Sequence, residues 1–305
     1  MKRMKLGTSD LKVPQIALGC MSMNKLSKPE AAKVIENALE HGIDFFDHAD
    51  IYGSGDSESI FAEAIEMSPS VREKITIQTK TGIRDGYYDF SKEHILKSAD
   101  ESLKRLKTDY LDVFLLHRPD ALVEPEEVAE AFTTLFESGK VRHFGVSNHN
   151  PMQIELLKKY LNQELVVNQL QLSVTNTNMM RQGLYVNTPF DYALNRDGSI
   201  LDYSRLNDMT IQAWSPFRYG YFEGFFINHE DFKELNIKLQ EIGEKYGVTK
   251  SAVAVAWILR HPAKIQTIVG TMTPERLTNI AKASTVELTR EEWYEIYRSA
   301  GNQVL

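Results

Sequence analysis

Short apolar segments alternate with longer amphipathic segments along the whole chain. The short segments are rich in β-branched and aromatic residues and have the length of buried strands, at residues 14–19, 43–49, 74–80, 110–117, 143–148, 165–173, 210–216 and 265–271. Helical patterns that start at a serine or proline or end at a glycine fill the intervals, as at residues 28–42, 91–107 and 125–140. The pattern therefore predicts alternating strands and helices.

This alternation predicts a closed, parallel (β/α)8 TIM barrel. Near-continuous apolar strands are typical of a parallel sheet that helices cover on its outer face. The rival interpretation is an open, doubly wound sheet, but the segment after the first strand, "CMSMNKLSKPE", lacks a glycine-rich phosphate turn. No repeat, low-complexity tract or linker divides the sequence, so we expect residues 1–305 to form a single domain.

Two segments lie outside the repeat. Residues 1–13 resemble a small hairpin that turns at "GTSD" and could close the bottom of the barrel. Residues 174–208, after the sixth strand, are rich in asparagine and lack a sustained helical period, which predicts a long loop with a short helix near "ILDYSRL". Long loops inside compact domains are usually functional.

Composition narrows the class of partner. The chain has 35 basic and 42 acidic residues and a formal net charge of −7, which does not favour nucleic acid or an anionic membrane. We expect a monomer that binds a small molecule. Cys20 is the only cysteine, so the sequence permits no intrachain disulfide, and no apolar stretch of signal-peptide length follows "MKRMK". The cytoplasm is the expected location.

Polar side chains collect at the predicted strand ends, where such barrels build their active sites. Three consecutive strands end in or near ionisable residues: Asp47 with Tyr52 beyond it, Lys80, and His117. The later strands end in further polar or aromatic residues, namely Ser147, Asn148, Gln169, Trp214, Ser215, Gly270, Thr271 and, five residues on, Arg276. This joint placement predicts one site at a single rim.

The ionisable group suits proton donation to a carbonyl oxygen. The Lys80 ammonium is expected to lower the pKa of Tyr52, the general acid, while Asp47 keeps Lys80 charged. His117 is expected to orient the substrate oxygen. None of these side chains is a nucleophile or reductant, so the electrons must come from a cofactor, of which nicotinamide is the simplest.

The sequence leaves two other classes of protein open. A metal-dependent hydrolase would use His48, Asp50, His117 and His143, but the H-x-H pair that such barrels usually carry is not in the sequence, so we expect no metal. A non-enzymatic module that binds NADPH and senses redox state is the second alternative. Turnover of bound NADPH by a simple aldehyde would separate the enzyme from the module.

The motifs "GIDFFDHADIYG", "LLHRPD", "FGVSNH" and "QAWSPF" stand in an order that resembles the aldo-keto reductase family across residues 5–295. The segments "DHAD" and "LTREEWYEIYRSAG" are most similar to a bacterial branch of poorly characterised oxidoreductases. The resemblance implies an oxidoreductase that uses NADPH to reduce an aldehyde or ketone to an alcohol. It also implies that the four ionisable residues form a catalytic tetrad.

The resemblance further implies a cofactor site. Ser147, Asn148 and Gln169 would hold the nicotinamide carboxamide, and Trp214 would stack on the nicotinamide ring. The pyrophosphate and adenosine-ribose end would be lined by Ser215, Phe217, Thr271 and Arg276, with Arg218 also reaching the phosphates. Many members carry a lysine at the position of Gly270, where it helps to bind the 2′-phosphate, so this chain departs from the family there.

Overall fold

The computed structural model describes residues 1–189 and 191–304. Its strands lie at Arg3–Lys5 (β1), Lys12–Pro14 (β2), Ile16–Gly19 (β3), Phe45–Asp47 (β4), Thr76–Thr81 (β5), Leu111–Leu116 (β6), Val141–Ser147 (β7), Leu165–Gln171 (β8), Thr210–Trp214 (β9), Arg218–Tyr219 (β10), Gly224–Phe225 (β11) and Gln266–Val269 (β12). Strands β3 to β9 and β12 pair in parallel and close into a barrel. The predicted (β/α)8 fold is confirmed, and each predicted strand segment overlaps one barrel strand, although β5 ends one residue later and β7 begins two residues earlier than predicted.

Helices surround this barrel. They lie at Lys28–Glu40 (α1), Asp56–Ala64 (α2), Pro69–Arg72 (α3), Lys92–Leu106 (α4), Pro125–Glu137 (α5), Pro151–Lys158 (α6), Asn178–Leu184 (α7), Ile200–Leu206 (α8), Lys233–Tyr246 (α9), Lys250–Leu259 (α10), Pro274–Ala281 (α11) and Arg290–Ser299 (α12). Short 3-10 turns lie at Met23–Lys25, Tyr52–Gly55, Asp191–Ala193, Glu230–Phe232 and Lys282–Thr285. In the part of the chain described, no helix is both long and apolar enough to cross a membrane.

Helix α4 illustrates how the sequence pattern becomes a packed layer. Ser91 caps its first turn by accepting a hydrogen bond from the His94 backbone nitrogen at 3.3 Å. Ile95, Ala99 and Leu103 recur every four residues, so they fall on one face and are buried against the barrel. The predicted serine start is therefore the start that the structure has.

The N-terminal hairpin forms the barrel floor, as predicted. β1 and β2 pair antiparallel, and Leu6 and Val13 pack into the apolar cluster at the lower end of the barrel. Gly7 has a φ of 54°, and a Cβ there would lie 2.2 Å from the Val166 backbone oxygen. Its backbone nitrogen donates to Thr210 Oγ1 at 2.7 Å. Only glycine allows so close an approach of the turn to the strands.

Two loops on the opposite side contain more structure than the sequence predicted. The helix expected near "ILDYSRL" is present as α8, but α7 in the same loop was not predicted. The loop after β9 contains the small antiparallel pair of β10 and β11, which was also missed. Both elements are short, and such short elements carry little periodic signal.

Candidate active site

The second and third barrel strands bring a carboxylate and an ammonium together below the rim. Asp47 ends β4, Lys80 is the next-to-last residue of β5, and both side chains are buried. Lys80 Nζ lies 2.9 Å from Asp47 Oδ2 and donates to the His48 backbone oxygen at 2.6 Å. Burial lowers the pKa of Lys80, but Asp47 and Tyr52 together outweigh burial and leave that pKa raised. Lys80 is therefore an ammonium at neutral pH, as predicted.

Tyr52 lies in the sharp turn after β4. Gly53 follows it with a φ of 59°, and a Cβ there would lie 2.6 Å from the Asn24 side chain, so glycine is required. The turn places Tyr52 Oη 3.2 Å from Lys80 Nζ. Lys80 lowers the pKa of Tyr52, as expected, but it does not determine the net direction of the shift. Burial penalises the phenolate and raises the pKa of Tyr52, and the opposing effect of Lys80 is smaller.

His117 follows the last residue of β6 and stands beside the phenol. The rings of Tyr52 and His117 are 6.0 Å apart between centroids and are nearly perpendicular, at 81°. Burial, then the charges of Lys80 and Arg118, lower the pKa of His117 well below its usual value. The imidazole is therefore neutral at physiological pH. Its Nδ1 is buried and has no hydrogen-bond partner in the described residues, so part of the hydrogen-bonding capacity of the ring is unused.

The residues expected to hold a carboxamide meet at the ends of β7 and β8. Ser147 Oγ donates to the Gln169 backbone oxygen at 2.9 Å, and Asn148 Nδ2 donates to Ser147 Oγ at 2.8 Å. Asn148 has a φ of 60°, in the left-handed region, which turns its side chain back over the rim. The Gln169 amide is directed elsewhere, because its Nε2 donates to Asp47 Oδ1 at 3.1 Å. The three residues thus lie together, and one of them touches the ion pair.

Trp214 closes this side of the rim. Its Nε1 donates to Asn148 Oδ1 at 3.3 Å, and the Phe222 ring stacks against the indole at 5.5 Å between centroids. The Arg118 guanidinium lies 5.8 Å from the indole centroid and donates to Tyr221 Oη at 3.1 Å. Sequence reasoning did not assign these neighbours of Trp214. A ring that stacks on Trp214 must use the indole face that Phe222 leaves open, or must displace Phe222.

The residues expected at the phosphate end follow β9 and β12. Ser215 has a φ of 52°, Phe217 packs against the core, and the Arg218 guanidinium lies 4.6 Å above the Phe225 ring. Of the cofactor residues predicted after β9, Arg218 thus packs on an aromatic side chain. Its orientation toward a phosphate stays a prediction.

The turn after β12 leads directly into α11. Thr271 Oγ1 accepts a hydrogen bond from the Thr273 backbone nitrogen at 3.3 Å, and Thr273 is the N-cap residue of α11 without a side-chain capping hydrogen bond. Arg276 is exposed in the first turn, and no hydrogen bond or ion pair joins it to the described residues. A Cβ at Gly270 would meet nothing within 4 Å, so the turn leaves open space there. A free helix start, hydroxyls and a guanidinium fit an anionic group such as a nucleotide phosphate.

The four residues weighed as metal ligands do not converge. His48 is fully buried with its ring edge against Phe61 at 4.6 Å, and Asp50 accepts a hydrogen bond from Ser98 Oγ at 2.9 Å. His143 faces the hairpin at the other end of the barrel, with Nε2 3.2 Å from Asp10 Oδ1. Among the residues that the structure describes, no group of three or more His, Cys, Asp or Glu side chains could hold a metal ion.

Sequence reasoning missed three buried glutamines below the rim. Gln78 Nε2 lies 2.6 Å from Asp47 Oδ1, and Gln212 and Gln266 continue the contact downward into the barrel. The signal was present in the strands, because Gln78 stands two residues before Lys80 and must share its face. An amide at an inward position of an apolar strand indicates a polar contact inside the barrel.

Comparison with known proteins identifies relatives over nearly the whole length. The sequence model of the Aldo/keto reductase family matches residues 15–300. The chain is 37% identical to the "Uncharacterized oxidoreductase YcsN" of Bacillus subtilis, with 97% of each chain covered. It is also 37% identical to the 6-dehydroglucose reductase of Agrobacterium fabrum, covering 87% of this chain and 86% of that protein. A thermostable aldo-keto reductase crystallised with the inhibitor epalrestat has a TM-score of 0.79 at 25% identity, covering 98% of this chain and 100% of that chain.

Proposed function

Because the chain belongs to the aldo/keto reductase family, we propose that it is an NADPH-dependent enzyme that reduces a small aldehyde or ketone to an alcohol. The observation that carries this proposal is the contact of one ammonium, Lys80, with both the Asp47 carboxylate and the Tyr52 hydroxyl. An arrangement that stabilises a phenolate without supplying a nucleophile suits proton transfer to a carbonyl oxygen.

Tyr52 is the proton donor in this proposal. Its raised pKa keeps the phenol protonated at neutral pH, so the acid is available whenever a carbonyl oxygen lies beside Oη. As the proton leaves, negative charge develops on Oη, 3.2 Å from the Lys80 ammonium. Lys80 therefore stabilises the state in which the proton has been transferred, more than the starting state.

His117 positions the substrate oxygen. A neutral imidazole donates one N–H and accepts at its other nitrogen, so it can hydrogen-bond a carbonyl oxygen without competing for the proton of Tyr52. Its ring is nearly perpendicular to that of Tyr52, so the two polar groups can converge on one atom. Asp47 does not touch the substrate in this scheme, since it serves to hold Lys80.

The cofactor is proposed to lie along the rim from β7 to α11. A bound reduced nicotinamide supplies the hydride that the protein cannot. Ser147, Asn148 and Gln169 hold the carboxamide, and Gln169 has only its Oε1 for this contact because its Nε2 is committed to Asp47. Trp214 packs against the ring. The other end is held by Ser215, Phe217, Arg218, the turn from Gly270 to Thr271, and Arg276.

A panel of aldehydes, ketones and quinones, each assayed with NADPH and with NADH, tests the proposal. We expect NADPH oxidation that depends on the carbonyl compound. The variant Lys140→Met, which removes an exposed ion pair with Asp100, should oxidise NADPH as the native protein does. Tight NADPH binding without oxidation by any carbonyl would instead indicate a non-enzymatic, redox-sensing module.

A further inference from the structure

Four glutamine side chains form a continuous hydrogen-bonded path inside the barrel. All four are buried and come from different strands: Gln78, Gln169, Gln212 and Gln266, called here the glutamine relay. Gln169, Gln212 and Gln266 stand at matching positions on the neighbouring strands β8, β9 and β12. The contact from Gln78 on β5 to Gln212 on β9 joins strands that are not neighbours, so these side chains cross the barrel interior.

The relay has a fixed direction. Gln266 Nε2 donates to the Pro14 backbone oxygen at 2.7 Å, at the floor, so its Oε1 faces Gln212. Gln212 Nε2 donates to Gln266 Oε1 at 2.8 Å. Gln212 Oε1 accepts hydrogen bonds from Gln78 Nε2 at 2.8 Å and from Gln169 Nε2 at 3.1 Å. Each amide thus presents nitrogen below and oxygen above until the upper pair is reached.

At the upper end the relay must present nitrogen to Asp47. Nε2 of Gln78 lies 2.6 Å from Asp47 Oδ1, and that of Gln169 lies 3.1 Å from it. A reversed Gln78 amide would set its oxygen against two other oxygens, that of the carboxylate and that of Gln212. The observed orientation persists although it leaves Gln78 Oε1 buried without a partner among the described residues. That cost indicates that the direction is imposed by the neighbours.

We propose that the glutamine relay positions the Asp47 carboxylate against Lys80, so that an acceptor at the barrel floor determines the geometry at the active-site rim. The inference rests on the proposed function, since Lys80 must stay charged for Tyr52 to act. Two amides donate to Oδ1 of Asp47, and Lys80 Nζ lies 2.9 Å from both carboxylate oxygens, so rotation of the carboxylate away from the ammonium would break the amide hydrogen bonds. Gln78 and Gln212 are accordingly positioning residues.

The basic limb of the kcat against pH profile tests this role. Five ionisable residues interact electrostatically with Lys80, namely Asp47, Tyr52, His48, His117 and Cys20. Asp47 is the main cause that raises the pKa of Lys80, so a displaced carboxylate would let the ammonium lose its proton at lower pH. We expect Gln78→Leu to move the basic limb down by about one pH unit, the equivalent of one charge-assisted hydrogen bond.

A graded series separates positioning from general loss of structure. Gln212→Leu should move the limb in the same direction by less, and Gln266→Leu, farthest from the rim, by least. Thr267→Val is the matched control, because Thr267 is the buried neighbour of Gln266 and its hydroxyl has no partner in the described residues. It should leave the profile unchanged. A Gln78→Leu profile identical to that of the native protein would overturn the proposal.

A second measurement keeps the relay testable if the native protein turns over no carbonyl compound. Nitrogen-15 NMR follows the titration of the Lys80 ammonium directly, with Lys80→Met identifying its signal. We expect the titration to occur at lower pH in Gln78→Leu than in the native protein. Equal titration of Lys80 in both proteins would contradict the relay, whereas absent turnover alone would contradict only the proposed function.

Discussion

The barrel holds a buried ion pair near each of its two ends, and the two pairs are completed differently. At the upper end Lys80 contacts Asp47, and at the lower end Arg72 Nη2 lies 2.6 Å from Asp112 Oδ2. Both pairs are almost fully excluded from water. The upper pair lies beside polar groups that lack hydrogen-bond partners, whereas the lower pair is hydrogen-bonded to the residues around it.

The lower pair shows what a structural ion pair looks like in this protein. Arg72 donates to Thr108 Oγ1 and to the backbone oxygens of Ile75 and Tyr110, each within 3.0 Å. Asp112 also accepts from the Ile77 backbone nitrogen at 2.9 Å. Arg142 Nη1 donates to the other Asp112 oxygen at 3.2 Å, so four of the five N–H groups of Arg72 and both oxygens of Asp112 have protein partners. Such completeness is what makes a buried charge tolerable.

The upper pair differs because its neighbours are left incomplete. His117 Nδ1 has no partner in the described chain, and the pKa values of Tyr52 and His117 are shifted in opposite directions from their usual values. Clusters of shifted titratable groups are typical of active sites. A buried charge by itself therefore does not mark a site, whereas a buried charge beside groups without hydrogen-bond partners does.

Replacing Tyr52 by phenylalanine should have the largest effect on the upper cluster. The change removes the acidic proton and little volume, so kcat should fall by about 10²- to 10⁴-fold. The NADPH dissociation constant should hardly change, because Tyr52 is not among the proposed cofactor contacts. Steady-state kinetics and a binding titration measure the two quantities. A variant that kept most of its turnover would remove Tyr52 from the mechanism.

Replacing Arg72 by methionine should have the opposite profile. It leaves the Asp112 carboxylate buried without its main partner, which should cost about 3 to 5 kcal/mol of unfolding free energy. Lys140→Met, at an exposed pair, should cost less than about 1 kcal/mol. Denaturant titration measures both. At temperatures where Arg72→Met is folded, its kcat should equal that of the native protein. A large fall in kcat would show that the lower ion pair also affects catalysis.

Acidification should destabilise the protein through its buried histidines. Burial lowers the pKa of His48 to about 3 and of His149 to about 4, and lowers that of His117 well below normal. Since histidines in the unfolded chain gain protons near pH 6.5, stability is lost as pH falls below that value. Burial raises the pKa of Asp50 to about 6, so Asp50 gains a proton in the folded state at a higher pH than in the unfolded chain. This gain of stability offsets the loss from one of the three histidines.

Between about pH 6 and 5 these four groups contribute about 2.7 kcal/mol of unfolding free energy per pH unit, from two protons net. His48→Leu should reduce the slope by about 1.4 kcal/mol per pH unit, since it removes one histidine that the native state leaves unprotonated. Denaturant titrations at several pH values measure the slope. An unchanged slope in His48→Leu would show that this histidine does not resist protonation in the folded protein.

Replacing Arg276 by alanine tests the cofactor end of the rim. Loss of a charge-assisted contact to a phosphate should weaken NADPH binding by about ten- to a hundredfold. NADH, which lacks the 2′-phosphate, should lose much less. Dissociation constants of both cofactors for the native protein and for Arg276→Ala decide the matter. Equal weakening of NADPH and NADH binding, or a native protein that prefers NADH, would contradict the assignment of Arg276 to the 2′-phosphate. The open space at Gly270 would then explain why the protein does not prefer NADPH.

Replacing Trp214 by leucine should have the smallest effect. If the Trp214 indole stacks on the nicotinamide, NADPH binding should quench the tryptophan fluorescence. The Trp214→Leu variant should lose most of that quenching. An aromatic contact contributes about 0.5 to 1.5 kcal/mol beyond its buried area, so binding should weaken by about two- to tenfold. Phe222→Leu is the comparison variant, because Phe222 covers the indole. Unchanged quenching in Trp214→Leu would place the ring away from the cofactor.

The rim was predictable because topology and residue type suffice to specify it. Once eight parallel strands are recognised, Asp47, Lys80 and His117 must share an end of the barrel. The direction of the Tyr52 pKa was not predictable, since it depends on how completely the folded chain excludes water from Oη. The contact of Phe222 with Trp214 lies in an aperiodic loop, whose conformation depends on tertiary packing rather than on local sequence.

Single-turnover oxidation of bound NADPH separates a catalytic rim from one that only binds the cofactor. The native protein, loaded with NADPH and mixed with a simple aldehyde, should oxidise the bound cofactor completely in one fast phase. Lys80→Met should bind NADPH and oxidise it far more slowly, because a phenolate at Tyr52 then lacks its ammonium. If NADPH bound to the native protein stays reduced in the presence of every aldehyde tested, the rim is a binding site and the catalytic account is wrong.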